Sequence, residues 1–198
     1  MLTQNQILEI FRETGVLQEG HFRLSSGRHS DRYMQCAQMF QYADRAELLC
    51  RALAGQFDGV DVVIGPAVGA IQMAYEVSRH IGCRNIFAER ENGVFTLRRG
   101  FAIKPEERVL VVEDTVTTGG SVKEIIELVI ARGGHLAGVG ALVDRSAGKV
   151  DFGVTFKAVM TVDIPSWEVS DCPLCALGIP CDKPGSRTAH KPQAASGK

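Results

Sequence analysis

RVLVVEDTVTTGGS, residues Arg108 to Ser121, decides how this chain is read. The apolar run Val109-Leu110-Val111-Val112 stops at two adjacent acids, Glu113 and Asp114. A loop of small hydroxyl residues and glycines, Thr115 to Ser121, follows and leads into the amphipathic stretch Val122 to Ile130. The pattern predicts a buried strand, a tight turn and a helix N-terminus. Backbone N–H groups at such a helix start, with the hydroxyls of Thr117, Thr118 and Ser121 beside them, make an anion site. Two carboxylates would repel a phosphate, so they call for a different partner, a sugar diol or a Mg²⁺ ion bound to one. Phosphate at the loop and hydroxyls at the acids together describe a ribose 5-phosphate.

Other phosphate motifs do not fit. No lysine follows Gly119-Gly120, which excludes a Walker A loop, and no G-x-G-x-x-G opens a helix here. The string closely resembles the phosphoribosyl-pyrophosphate (PRPP) signature of the type I phosphoribosyltransferases, an apolar run, two acids and then T-x-T-T-G-G-S. The resemblance fixes the donor and leaves the acceptor open.

Bulk properties narrow the class. A chain of 198 residues, 45% hydrophobic and 23% charged, suits one globular domain with a full core. A formal net charge of -1 gives no general attraction to nucleic acid. No apolar stretch approaches the roughly 20 residues of a membrane span, and the N-terminus is unlike a signal peptide. The expected location is the cytoplasm, with neither nucleic acid nor membrane as partner. Cys36, Cys50 and Cys83 are scattered through apparent core elements, while Cys172, Cys175 and Cys181 cluster in DCPLCALGIPC. That cluster suggests zinc, but a structural site wants four ligands, and the only candidate nearby in sequence is His190. Reduced thiols packing a terminal turn are the other reading.

Along the chain, helices are predicted over 4–14, 44–53, 70–80 and 120–132, and strands over 60–64, 86–88, 109–112, 136–143 and 158–162. The stretch HFRLSSGRHSDRY reads as a short strand and hairpin. Strands alternating with helices imply an α/β fold, a mainly parallel sheet with helices on both faces. Ligands then bind outside the carboxyl ends of the strands, so the loops after Ile64, Val112 and Val143 should converge. The polar tail from Gly185 is expected to be a mobile terminus.

Three further strings resemble the orotate phosphoribosyltransferase family, within the type I phosphoribosyltransferase (Rossmann-like) fold. They are Leu24 to Asp31 (LSSGRHSD), Gly65 to Ala70 (GPAVGA, at the place of the family's pyrophosphate loop) and Asp144 to Gly148 (DRSAG). The likeness runs from about residue 5 to 185. It implies one domain over 1–185, with a small hood built from about 1–40 and about 163–185, and a tail over 186–198. It also implies PRPP binding by Glu113, Asp114, Thr115, Val116, Thr117, Thr118, Gly119, Gly120 and Ser121, with Arg90 and Arg99 on the pyrophosphate. Orotate would meet Thr117, Arg145, Tyr33 and Met34. Glu113, Asp114 and Arg90 would carry the catalysis, Mg²⁺ would be the cofactor, held by Asp114 indirectly through PRPP, and the assembly would be a homodimer. Charge logic agrees at one point, because a planar guanidinium can grip the orotate carboxylate through two parallel hydrogen bonds. By itself Arg145 would read as a surface arginine at a strand end.

The chain departs from the long-loop members of that family in having no lysine before Lys104. Gly69 stands where a pyrophosphate-loop lysine would be. It resembles a short-loop branch, in which arginines would supply the positive charge. Arg98 and Arg99, read as neighbouring strand positions, should face opposite ways. The Arg90–Arg99 segment is expected to close over PRPP as a lid. Two other readings are a PRPP-dependent transferase for another base and a PRPP-sensing regulator without turnover.

Overall fold

The computed structural model describes residues 2–184, so His190 lies outside the described residues. The chain folds as two compact units. The larger takes in the residues up to Val16 and the span Gln35–Asp163, and the smaller joins Leu17–Met34 to the chain from Ile164 onward.

The larger unit starts with helix α1 (Gln4–Glu13), which buries Ile7, Ile10 and Phe11. Its first turn is closed by a reciprocal cap, in which Gln6 N donates to Thr3 Oγ1 and Thr3 N donates to Gln6 Oε1. A 3₁₀ turn (Cys36–Gln41), α2 (Ala43–Ala54), β3 (Val62–Pro66), α3 (Ile71–Ile81), β4 (Arg84–Glu91), β5 (Val94–Leu97), β6 (Arg108–Val116), α4 (Gly120–Ala131), β7 (His135–Asp144) and β8 (Phe156–Thr161) follow in order. Six strands make one sheet in the order β5-β4-β3-β6-β7-β8, parallel throughout except for the β4–β5 hairpin.

Alternation along the strands supplies both faces with core. Val109, Val111, Val139 and Ala141 pack with Val122, Ile125 and Val129 of α4. On the other face two glycines of β7 let the end of α2 and the chain after it lie close. A Cβ on Gly140 would come within 3.1 Å of Leu53 Cδ2, and one on Gly138 within 2.7 Å of the Phe57 ring. Leu53 and Leu110 are fully buried, and truncating either to alanine should cost about 2–5 kcal/mol.

The strand order reverses between β3 and β6, where open α/β sheets leave a crevice. Pairing of β6 with β3 ends at Ile64–Val111, while pairing with β7 continues to Val116–Asp144. The last five residues of β6 therefore have a strand on one side only.

Two expectations need correction. Strand β6 outruns the predicted turn, because β7 supplies partners through Val116, so Glu113, Asp114 and Thr115 are strand residues. Strand β5 ends at Leu97, so Arg98 and Arg99 are not strand neighbours, and Arg99 has φ 56°.

The smaller unit is the antiparallel hairpin β1 (Leu17–Arg23) and β2 (His29–Met34), flanked by the C-terminal segment with its short helix α5 (Pro173–Ala176). Asp182 exchanges backbone hydrogen bonds with β1, accepting from Arg23 N and donating to His21 O, both 2.8 Å. Trp167 and His29 exchange a second pair, also 2.8 Å each. Arg28 adds a bond from Nε to Ser166 Oγ at 3.0 Å and a salt bridge to Glu168. No helix among the described residues is long and apolar enough to cross a membrane.

Candidate active site

The end of β6 and the start of α4 enclose a concavity of ≈ 160 Å³ lined by Glu113 and by the residues from Thr115 to Val122. Gly119 sits between strand and helix with φ 76°, a left-handed conformation that costs glycine little. Space makes the same demand, since a Cβ there would meet the Phe152 ring at 2.8 Å and Val150 Cγ1 at 2.9 Å. That turn starts α4 at Gly120 and leaves its first N–H groups without partners inside the helix. Thr117, Thr118 and Gly120 are exposed around them. Hydroxyls and aligned backbone donors are what a phosphate dianion needs.

Glu113 and Asp114 lie half-buried at the edge of this loop. Burial pushes the carboxyl affinity for protons of both upward, and the negative charge of Asp114 raises Glu113 further. Asp114 N donates to Glu113 Oε1 at 3.3 Å, which offsets part of that cost. Such a pair suits a cation or a set of hydroxyl donors. Its oxygens are hard ligands, appropriate to Mg²⁺ on a sugar diol.

The loop after β3 reaches the same acids. A Cβ on Gly69 would lie 3.4 Å from Asp114 Oδ2, so this glycine leaves open the space in front of the carboxylate. The loop after β7 arrives from the other side, with Arg145 N donating to Val116 O at 2.8 Å. Buried Asp144 holds that loop by accepting from Ser146 N at 2.7 Å and from Gly148 N at 3.1 Å. Arg145 Nε is buried without a hydrogen-bond partner, an expensive condition for a guanidinium. The three loops expected to converge do so.

Sequence reasoning missed Cys36 here. Its buried thiol accepts from Thr115 Oγ1 at 3.1 Å and is pushed up to about 12, first by burial and next by the charge of Asp114. A neutral thiol beneath the acids adds no further charge, and only the tertiary fold brings it there.

The arginines are differently placed. Arg90 makes a two-pronged bond to Glu124 of α4, 2.8 and 2.9 Å, and lies 4.0 Å over the Phe95 ring. Arg99 grips Glu89 at 2.8 and 3.0 Å, and Arg98 is 3.9 Å from Glu91. Tyr33 and Met34 belong to the smaller unit, where Met34 is buried and Tyr33 packs against Phe22 with ring centroids 5.8 Å apart.

The family described as phosphoribosyl transferase domain matches residues 39–174. An orotate phosphoribosyltransferase of Pelotomaculum thermopropionicum is 58% identical over 188 residues, 94% of this chain and 99% of that one. One from Caldanaerobacter subterraneus is 57% identical with the same coverage of both chains. The crystal structure of orotate phosphoribosyltransferase from Aeropyrum pernix superposes with a TM-score of 0.68 at 25% identity, over 79% of this chain and 93% of that one. Identity above half over nearly the full length of both chains, and a family match over most of the fold, lead to one assignment: this chain belongs to the orotate phosphoribosyltransferase family.

Proposed function

We propose that the chain transfers the 5-phosphoribosyl group of PRPP to N1 of orotate, yielding orotidine 5′-phosphate and pyrophosphate in pyrimidine biosynthesis. The observation that carries this reading is the presence, in a chain of this family, of the Glu113–Asp114 pair, the Thr117–Ser121 loop and Arg145, with its buried unpartnered Nε, at the ends of β6 and β7.

The loop from Thr115 to Ser121 takes the 5-phosphate on its N–H groups and hydroxyls. Glu113 and Asp114 orient the ribose hydroxyls. The fork of Arg145 takes the orotate carboxylate, filling the need of its buried Nε, and Thr117 bonds the base. The roles of Tyr33 and Met34 rest on the family resemblance alone. Orotate gives up its N1 proton to solvent, and the N1 lone pair forms the new bond to C1 while the C1–O bond breaks and its electron pair leaves with pyrophosphate. Positive charge on the ribose ring is greatest in between, close to the carboxylates. Magnesium, which Asp114 would hold indirectly through PRPP, would neutralise charge on the leaving group. Arg90 and Arg99 leave their carboxylates for the pyrophosphate as the β4–β5 hairpin closes and excludes water. The working form is a cytoplasmic homodimer.

The test is loss of orotate absorbance in the near-ultraviolet on mixing the protein with orotate, PRPP and Mg²⁺. A decrease that requires all three supports the reading. PRPP binding with no decrease would overturn it.

A further inference from the structure

Outside this site the smaller unit gathers a second cluster of chemistry-bearing side chains. His21 on β1 and His29 on β2 meet Cys172 and Cys175 of the α5 turn, and the four ligand atoms lie within 4.8 Å of one another. His21 Nε2 is 3.5 Å from Cys172 Sγ and 3.7 Å from Cys175 Sγ, and His29 Nδ1 is 3.3 Å from Cys175 Sγ. A tetrahedral zinc ion with ordinary bond lengths separates nitrogen and sulfur ligands by about 3.5 Å. The two ring nitrogens, 2.8 Å apart, would have to open by about 0.5 Å to take such an ion.

The ring of His21 is oriented for ligation. Its Nδ1 lies 2.8 Å from Ile179 O and can only donate there, which leaves the Nε2 lone pair aimed at the cluster. Among hydrogen bonds alone the group is badly served. One N–H on His29 Nδ1 cannot satisfy both His21 Nε2 and Cys175, and burial of His21, His29 and Cys172 limits help from water. The cluster also sits where a staple is needed, because a two-stranded hairpin is marginal alone.

We propose that His21, His29, Cys172 and Cys175 bind one structural zinc ion that fastens the β1–β2 hairpin to the C-terminal segment. Two thiolates with two imidazoles select zinc over hard cations, and four protein ligands leave no open position for chemistry. Cys181 Sγ, 3.8 Å from His29 Nε2, is a neighbour outside the donor set.

The test is the metal content of the full chain, purified under reducing conditions without a metal-affinity step, measured by plasma mass spectrometry. About one zinc per chain is expected, still present in Cys181→Ser and lost in Cys175→Ser. Should a variant fail to fold, the unaltered chain, stripped by chelator and titrated with Co²⁺, must give the intense visible bands of tetrahedral cobalt together with a thiolate charge-transfer band at one equivalent. Absence of both zinc and that spectrum overturns the proposal, as does a Cys172–Cys175 disulfide in the freshly isolated chain. Iron in place of zinc overturns the metal assignment. Loss of zinc from Cys181→Ser with retention in His29→Asn overturns the donor set.

Discussion

The end of β6 and the β4–β5 hairpin treat charge in opposite ways. At β6, two carboxylates are held half-buried and mutually unfavourable, with no cation bonded to either among the described residues. On the hairpin and in the two residues after it every arginine has a carboxylate, Arg84 with Glu107, Arg90 with Glu124, Arg98 with Glu91 and Arg99 with Glu89. The difference is one of commitment. Strand β6 is fixed between α4 and β7 and can hold its acids ready at a cost. The hairpin pairs are largely exposed, with Arg90 43% and Glu124 42% exposed, and such pairs contribute only about 0–1 kcal/mol. They can be exchanged for an arriving polyanion at little loss.

Breaking the rigid side should do the most damage. Asp114→Asn should lower kcat on the order of a hundredfold, in line with about 3–4 kcal/mol for a preorganised group facing developing charge. Steady-state kinetics decide, and an unchanged kcat would remove Asp114 from the mechanism. Arg145→Ala comes next and should raise KM for orotate by roughly tenfold to hundredfold, as expected when a charged hydrogen bond worth about 1.5–3 kcal/mol is lost. Arg145→Lys should recover only part of that, because the fork is gone.

The acids make a prediction with pH. Their affinity for protons is raised in the folded chain, so the folded state holds protons that the unfolded chain has already lost. Their contribution to stability is therefore undiminished in acid and declines as pH rises from the ordinary carboxylate range through neutrality. Glu113→Gln should raise the melting temperature at pH 8, by ~2–4 °C for each kcal/mol relieved, and change it little at pH 4. Thermal scans at the two pH values check this, and equal shifts would contradict the burial argument. The smallest effect is expected on the hairpin. Glu124→Gln frees Arg90 and should change kcat/KM for PRPP by no more than about fivefold, the equivalent of an exposed ion pair. A larger loss would mean that Glu124 itself holds ligand.

Legibility in the sequence follows how locally a feature is encoded. The fourteen residues from Arg108 to Ser121 carry strand, acids, glycine turn and helix start in one string, so the strand–turn–helix unit could be read from it. The extension of β6 through Glu113 and Asp114 could not, because acids are poor strand formers and only pairing with β7 overrides that tendency. Strand β5 escaped notice because it is four residues long and buries Phe95 alone. The thiol cluster pointed to zinc but offered only His190 nearby. The histidines that meet it, His21 and His29, lie 151 and 146 residues before Cys172 and Cys175, and no spacing rule reaches so far.

That separation bears on how the chain is made. His29 leaves the ribosome 143 residues ahead of Cys172 (172 − 29). At about 5–20 residues per second the hairpin waits roughly 7–30 s for the thiols that complete it. By then the strands from β3 to β8 have all emerged, and the larger unit can settle first. The first strands synthesised therefore belong to the last part of the molecule to mature, and a nascent chain halted before α5 would carry a finished sheet and an unfinished hairpin.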